Sequence, residues 1–182
     1  KQRFAIRKQA RKDKKPIENE SKLENGIWLN VRETASNDGH MITVITDVTE
    51  SKNSAEMQSR LSNAIDSIPS HVMFWDKDEF LIKANELAIN ENLEDGIKLS
   101  EGMSYSEFLT SQFSKKLYSV PKDFSVEKFV KKRLKERAEL TSKSTKVRYR
   151  NGKTVIRTEN KLDDGGILTI LNDVTDLEEK ES

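Results

Sequence analysis

The 182-residue chain is 35% charged and 34% hydrophobic and carries a formal net charge of +1. That balance suits a protein with extended polar helices and excludes a global field favouring nucleic acid or an anionic membrane. With no cysteine, the chain is excluded from disulfide, thiolate and cysteine-metal chemistry, and only His40 and His71 supply imidazole.

No apolar run approaches the ~18 residues of a membrane span, and the first residues read as basic helix rather than signal peptide. A cytoplasmic location is expected, without membrane contact from this segment. Lys1 to Lys15 is a helix candidate with Phe4, Ile6 and Ala10 as its few apolar residues. Its basic residues favour a solvated amphipathic helix over a nucleic-acid arm. From Gly26 the pattern changes. Ile27, Leu29 and Val31 alternate with Trp28, Asn30 and Arg32, the period of a half-buried strand. Asn37-Asp38-Gly39 has hairpin-turn chemistry, and a strand from Met41 to Ile45 follows. A hairpin alone is marginal in water, so further strands are expected before Lys1.

The stretch Met41 to Thr49, Met-Ile-Thr-Val-Ile-Thr-Asp-Val-Thr, returns as Ile167 to Thr175, Ile-Leu-Thr-Ile-Leu-Asn-Asp-Val-Thr. An offset of 126 residues separates Asp47 from Asp173, and the same offset pairs Asn25-Gly26 with Asn151-Gly152 and Glu33 with Glu159. Solenoid units usually repeat every ~20–50 residues, so this period indicates tandem domains. Residues 1–50 read as the C-terminal part of one domain, residues 51–69 as a connecting helix and residues 70–175 as a complete second domain. Residues 176–182 begin an output helix. In the connector, Met57, Leu61, Ala64 or Ile65, and Ile68 make one narrow apolar stripe, the seam a coiled-coil partner would cover.

Asp47 and Asp173 stand where strand becomes helix, suited to the positive helix end or to a nearby Lys or Arg. Thr49 and Thr175 are N-cap candidates whose hydroxyls accept a first-turn N–H, and Glu178 completes a capping-box pattern where the first copy has Lys52. These four residues, Asp47, Thr49, Asp173 and Thr175, are the candidate signal-transmission site.

Within the second domain, His71 to Trp75 and Phe80 to Ala84 read as a hairpin turning at Asp76 to Glu79, with Asn85 capping a short helix from Glu86 to Asn92. Met103, Phe108, Leu109 and Phe113 suggest another helix, and a loop containing Pro121 precedes a helix from Ser125 to Leu140. Lys131-Lys132-Arg133 makes that helix basic, which reads as a property of a surface helix with Glu136 and Glu139 as counter-charges. Strands from Lys143 to Arg150 and from Lys153 to Lys161 flank Asn151-Gly152, a strong hairpin signal. The final strand starts after Asp163-Asp164-Gly165-Gly166. Two strands, several helices and three strands describe an α+β domain.

The hairpin Val72-Met73-Phe74-Trp75-Asp76 to Phe80-Leu81-Ile82-Lys83-Ala84-Asn85, the Asp-Gly-Gly turn and the terminal Asp-Val-Thr resemble the PAS sensor family over about Leu61 to Lys180. The resemblance implies a five-stranded antiparallel sheet with helices on one face, flanked by signalling helices. No cofactor is expected: the cysteine of a flavin-binding LOV sensor is missing, and the helix Ser125 to Leu140 lacks a haem-ligating histidine. His71 reads as a strand-edge residue. Glu79 departs from the family's turn glycine.

Candidate pocket residues between sheet and helices are Trp75, Phe108, Phe113, Val130 and Tyr149, with simple core packing as the plainer role. No metal site and no catalytic residue is expected, since no nucleophile-elbow serine, phosphate-binding glycine loop or histidine-rich motif occurs. The resemblance implies a non-catalytic sensory and dimerisation module, homodimeric through its flanking helices and open to an unidentified small molecule. Its first-choice context is a sensor histidine kinase of a two-component system. A nucleotide cyclase, a diguanylate cyclase or a ligand-free coiled-coil spacer are the alternatives.

Overall fold

The computed structural model describes residues 16–36, 38, 40–118 and 124–181. The chain divides into two compact units, Lys1–Ser62 and Asn63–Ser182. The predicted helix from Lys1 to Lys15 and the loop around Pro121 lie outside the described residues.

In the first unit, β1 (Ile17–Lys22), β2 (Trp28–Ala35) and β3 (Met41–Asp47) form an antiparallel sheet in that order. Strand β1 was not predicted. Its residues Ile-Glu-Asn-Glu-Ser-Lys carry no apolar alternation because it is an exposed edge strand, where polar and charged side chains discourage further pairing. One partner of the hairpin thus lies after Lys1. Helix α1 (Thr49–Asp66) follows β3, and Met57 and Leu61 of its predicted stripe are exposed.

The second unit has a five-stranded antiparallel sheet. Its strands are β4 (His71–Trp75), β5 (Leu81–Ala84), β6 (Ser142–Arg148), β7 (Thr154–Lys161) and β8 (Ile167–Asp173). They lie in the order β5-β4-β8-β7-β6. Helices α2 (Glu86–Glu94), α3 (Tyr105–Ser114) and α4 (Val126–Ala138) separate β5 from β6, and α5 (Thr175–Glu181) leaves β8. The α+β class and the five-stranded sheet agree with expectation.

Local chemistry explains the boundaries. Asn85 caps α2 by accepting Ala88 N–H at 3.1 Å; the same oxygen accepts Val72 N–H at 3.0 Å, while the amide donates to Ser70 O at 2.8 Å. A single buried side chain therefore fixes the helix start to β4. Ser104 and Glu107 form a reciprocal capping box on α3, satisfying N–H groups that a helix start otherwise leaves open. Trp75, Tyr105 and Phe108 pack as an aromatic cluster, with ring centroids 5.0 Å apart for Trp75 and Tyr105, amid Met73, Leu109 and Ile167.

The basic character of α4 is not confined to its surface. Arg133 is 5% exposed and Arg137 1%. The two residues stand at i and i+4 and share a helical face, and that face meets Glu159 of β7, itself 3% exposed. Arg133 donates to Glu159 at 2.8 Å and to the Tyr105 hydroxyl at 2.9 Å. Arg137 donates to Glu159 at 2.7 Å and to Glu79 at 2.8 Å, and its guanidinium lies 3.8 Å from the Tyr105 ring centroid. Lys131 and Lys132 are exposed as predicted.

Glu79 stands in the left-handed region at φ 65°. It thus adopts the turn geometry usually left to glycine, and its carboxylate clasps Arg137. Asp76 completes the turn by accepting Asp78 and Phe80 N–H at 2.9 and 2.8 Å.

Burial alone would raise the Glu159 carboxyl, but Arg133, Arg157 and Arg137 outweigh it and hold the group below its ordinary 4.5. A carboxyl lowered in the folded state contributes stability above its unfolded pKa, lost as pH falls through the folded value. Glu159→Gln should therefore cost about 3 kcal/mol at pH 7, the scale of a broken buried ion pair. The gap to the parent should close below pH 4.5. Urea unfolding followed by Trp75 fluorescence in a Trp28→Phe background measures both; an equal gap at pH 3 and 7 contradicts the assignment.

Candidate functional site

Strand β8 is apolar from Ile167 to Leu171 except for Thr169, then turns polar at Asn172-Asp173 and passes through Val174 into α5. The helix start leaves N–H groups open, and the preceding carboxylate takes one. Thr175 N–H donates to Asp173 Oδ1 at 3.0 Å, and the Thr175 hydroxyl donates to the same oxygen at 2.6 Å. That hydroxyl also accepts Thr154 N–H from the start of β7 at 3.0 Å. Val174 N–H donates to Thr154 O at 2.9 Å. Asp173 and Thr175 thus tie the exit helix to two strands at once.

The predicted cap is corrected in one respect: the threonine hydroxyl serves the neighbouring strand, and the aspartate serves the helix. A hydroxyl that donates to Asp173 still has lone pairs for an N–H, and the nearest unsatisfied one comes from β7. The Glu178 side chain of the predicted capping box lies outside the described residues.

The first unit contains the same clamp. Thr49 donates to Asp47 through N–H at 2.9 Å and hydroxyl at 2.6 Å, and accepts Trp28 N–H at 2.8 Å. Val48 N–H donates to Trp28 O at 2.9 Å. Each partner sits 126 residues before its counterpart, and the register also agrees: Leu29 opposes Asp47 as Val155 opposes Asp173.

The junctions differ in what surrounds the aspartate. The Asn151-Gly152 turn, with Gly152 at φ 92°, delivers Lys153 to Asp173 at 3.3 Å and to Glu91 of α2 at 2.6 Å. The counterpart of Lys153 in the first unit is Ile27, and the nearby Lys52 pairs with Glu20 instead. Glu91 also lies 3.0 Å from His71 Nε2. A row His71, Glu91, Lys153, Asp173, Thr175 therefore runs from β4 to the exit helix.

Burial would raise Asp173, but Thr175 and Lys153 hold it below 3.8. His71 is pushed below 6.5 by burial, against the pull of Glu91. Sequence reasoning names Asp173 and Thr175 at this junction but not Lys153 or Glu91 beside them, and it reads His71 only as a strand-edge residue. Position after the Asn-Gly turn was the usable signal for Lys153; Glu91 had none, being distant in sequence.

The candidate pocket residues are brought together only in part: Trp75 packs on Phe108, and Phe108 and Tyr149 flank one small space. Trp75 and Phe108 lie in the packed core, Phe113 stacks on Phe129 at 5.7 Å, and Val130 packs at the core margin. Tyr149 stacks on Tyr118 at 5.5 Å. The space beside Phe108, Tyr118 and Tyr149 is about 10 Å3, room for one water at most. A larger cavity of about 100 Å3 adjoins it across Gln112, Tyr149 and Leu171, beside His71, Glu91, Lys153 and Asp173 and over Leu87 and Val155. Tyr149 is the one predicted lining residue that reaches it.

Lys153→Met should raise the Asp173 pKa toward 3.8, because the ammonium is lost and the Thr175 hydrogen bonds remain. A carbon-detected NMR titration of the Asp173 carboxyl checks this; an unmoved pKa means that Lys153 does not pair with Asp173 in solution.

A family model described as the PAS fold matches residues 65–182. Among solved structures, the PAS domain of an HTR-like protein from Haloarcula marismortui is 18% identical with a TM-score of 0.41, covering 68% of this chain and 97% of that one. The sensor region of a sensor histidine kinase is also 18% identical, with a TM-score of 0.43, covering 59% of this chain and 40% of that one. No curated protein matches. The family match takes in more than half of the chain, and the chain belongs to the PAS-fold family.

Proposed function

We propose that the chain is a non-catalytic sensory and dimerisation module of a larger signal-transduction protein, with a sensor histidine kinase as its output. The observation that carries this reading is the clamp at each strand-to-helix exit. A carboxylate that holds helix and sheet together makes the direction of the helix depend on the state of the sheet. A ligand or partner could shift that state only by its differential affinity for two arrangements. The choice of a kinase output rests on family likeness.

The reading takes the first unit as the closing part of another PAS fold. Strands β1 to β3 correspond in order and register to β6 to β8, with Ile17 opposite Glu33 as Lys143 is opposite Glu159. Helix α1 is the proposed dimer seam, supported by its exposed Met57 and Leu61. Among the described residues no helix is long and apolar enough to cross a membrane.

The test places the chain ahead of a histidine-kinase catalytic core, in phase with its helix, and measures autophosphorylation. Asp173→Ala should change it by about fivefold or more, the size of ordinary coupling between sites, with the far-UV dichroism retained. Unchanged autophosphorylation in a folded variant rejects the transmission role.

A further inference from the structure

The cavity beside Glu91 and Lys153 offers chemistry that the clamp does not use. Its volume is about 100 Å3; a cavity of about 150 Å3 accepts benzene, so its occupant is limited to about four or five non-hydrogen atoms. Two lining side chains, Asn92 and Gln112, are each 4% exposed. The Asn92 amide N–H donates to Ala88 O at 2.8 Å, and its Oδ1 can act as an acceptor. Gln112 Oε1 accepts the Tyr118 hydroxyl at 2.6 Å, leaving its N–H groups over. His71 places Nε2 at 3.0 Å from Glu91, so the neutral ring carries its proton there and presents Nδ1 as an acceptor. That Nδ1 is buried and unpartnered among the described residues.

The surrounding charges lean the same way. Glu91, Asp95 and Asp173 line the cavity against a single ammonium, that of Lys153. Negative charge thus predominates, and it favours a ligand that carries positive charge and donates hydrogen bonds. A metal ion is poorly served, since no group of three or more His, Cys, Asp or Glu among the described residues is placed to hold one. Leu87 and Val155 supply an apolar wall for a short carbon stem.

We propose that this cavity binds a small organic cation, an amidine or primary amine of about four non-hydrogen atoms, whose charged nitrogen replaces the Lys153 ammonium at Glu91. The proposal rests on the sensory reading and gives that module its ligand class. Once displaced from Glu91, Lys153 keeps Asp173 as its carboxylate partner, so occupation of the cavity is felt at the clamp.

Amide NMR of the whole labelled chain tests the proposal by titration with acetamidine hydrochloride and propylamine hydrochloride. Acetamide, propanol and sodium acetate serve as uncharged and anionic counterparts. The cations should give saturable shifts at His71, Glu91 and Asn92, with a Kd between about 0.04 and about 10 mM, the range open to ligands this small. The counterparts should bind at least about tenfold more weakly, since they lack the charge-assisted hydrogen bond.

Glu91→Gln should weaken the cations, whereas Lys153→Met should tighten them by removing their competitor. Shifts that never saturate, equal shifts from acetamide and acetate, or binding indifferent to both variants would overturn the proposal. A negative titration leaves the autophosphorylation comparison untouched, because that experiment tests the module whatever its ligand.

Discussion

A carboxylate at the end of the last strand holds the start of α5 to the sheet. Asp173 accepts from the Thr175 N–H and hydroxyl, while that hydroxyl receives an N–H from β7. Without it, α5 would keep the peptide link, the Val174 bond to Thr154 and the Thr154 N–H bond to the Thr175 hydroxyl, but nothing would hold that hydroxyl and the first helical N–H to the end of β8. Short hydrogen bonds near a helix end are individually modest, about 1 kcal/mol each. Their value here lies in geometry: one side chain sets the helix start against two strands.

A clamp of that kind is useful only if the sheet behind it is firm, and the buried arginines supply the firmness. Arg133 and Arg137 join α4 to Glu159 of β7, and Arg137 joins it also to Glu79 in the β4–β5 turn. Buried charges are costly unless paired and hydrogen-bonded, so such a network tolerates few alternative packings. The row from His71 to Asp173 is different. Its groups are partly exposed, and Glu91 and Lys153 each serve two partners. Rearrangement is therefore easier there than around Glu159, and this is the side on which the cavity opens.

The sequence made the sheet, the hairpin turns and the Asp-Val-Thr junctions legible because their signals are local: alternation, Asn-Gly, and a polar stop after an apolar strand. Strand β1 was missed because an exposed edge strand needs no apolar face. Arg133 was misread and Arg137 passed over because arginine is ordinarily solvated, although a signal existed. Arg7, Arg11 and Glu33 precede Arg133, Arg137 and Glu159 by the 126-residue offset, a coincidence that surface solvation does not explain. The aromatic residues chosen as pocket lining went instead into packing, where large rings bury most area. The cavity's polar lining comes from β4, α2, α3 and β8 together with Lys153, whose meeting no local pattern records.

Amide hydrogen exchange tests the central claim most directly, because the two N–H groups held by the clamp, Thr154 and Thr175, can be followed individually. In Asp173→Ala both should exchange about fivefold faster, the loss expected for about 1 kcal/mol of hydrogen bonding, with the equivalent amides of Trp28 and Thr49 unchanged as an internal reference. Unaltered protection at Thr154 and Thr175 would mean that Asp173 does not hold the exit helix to the sheet.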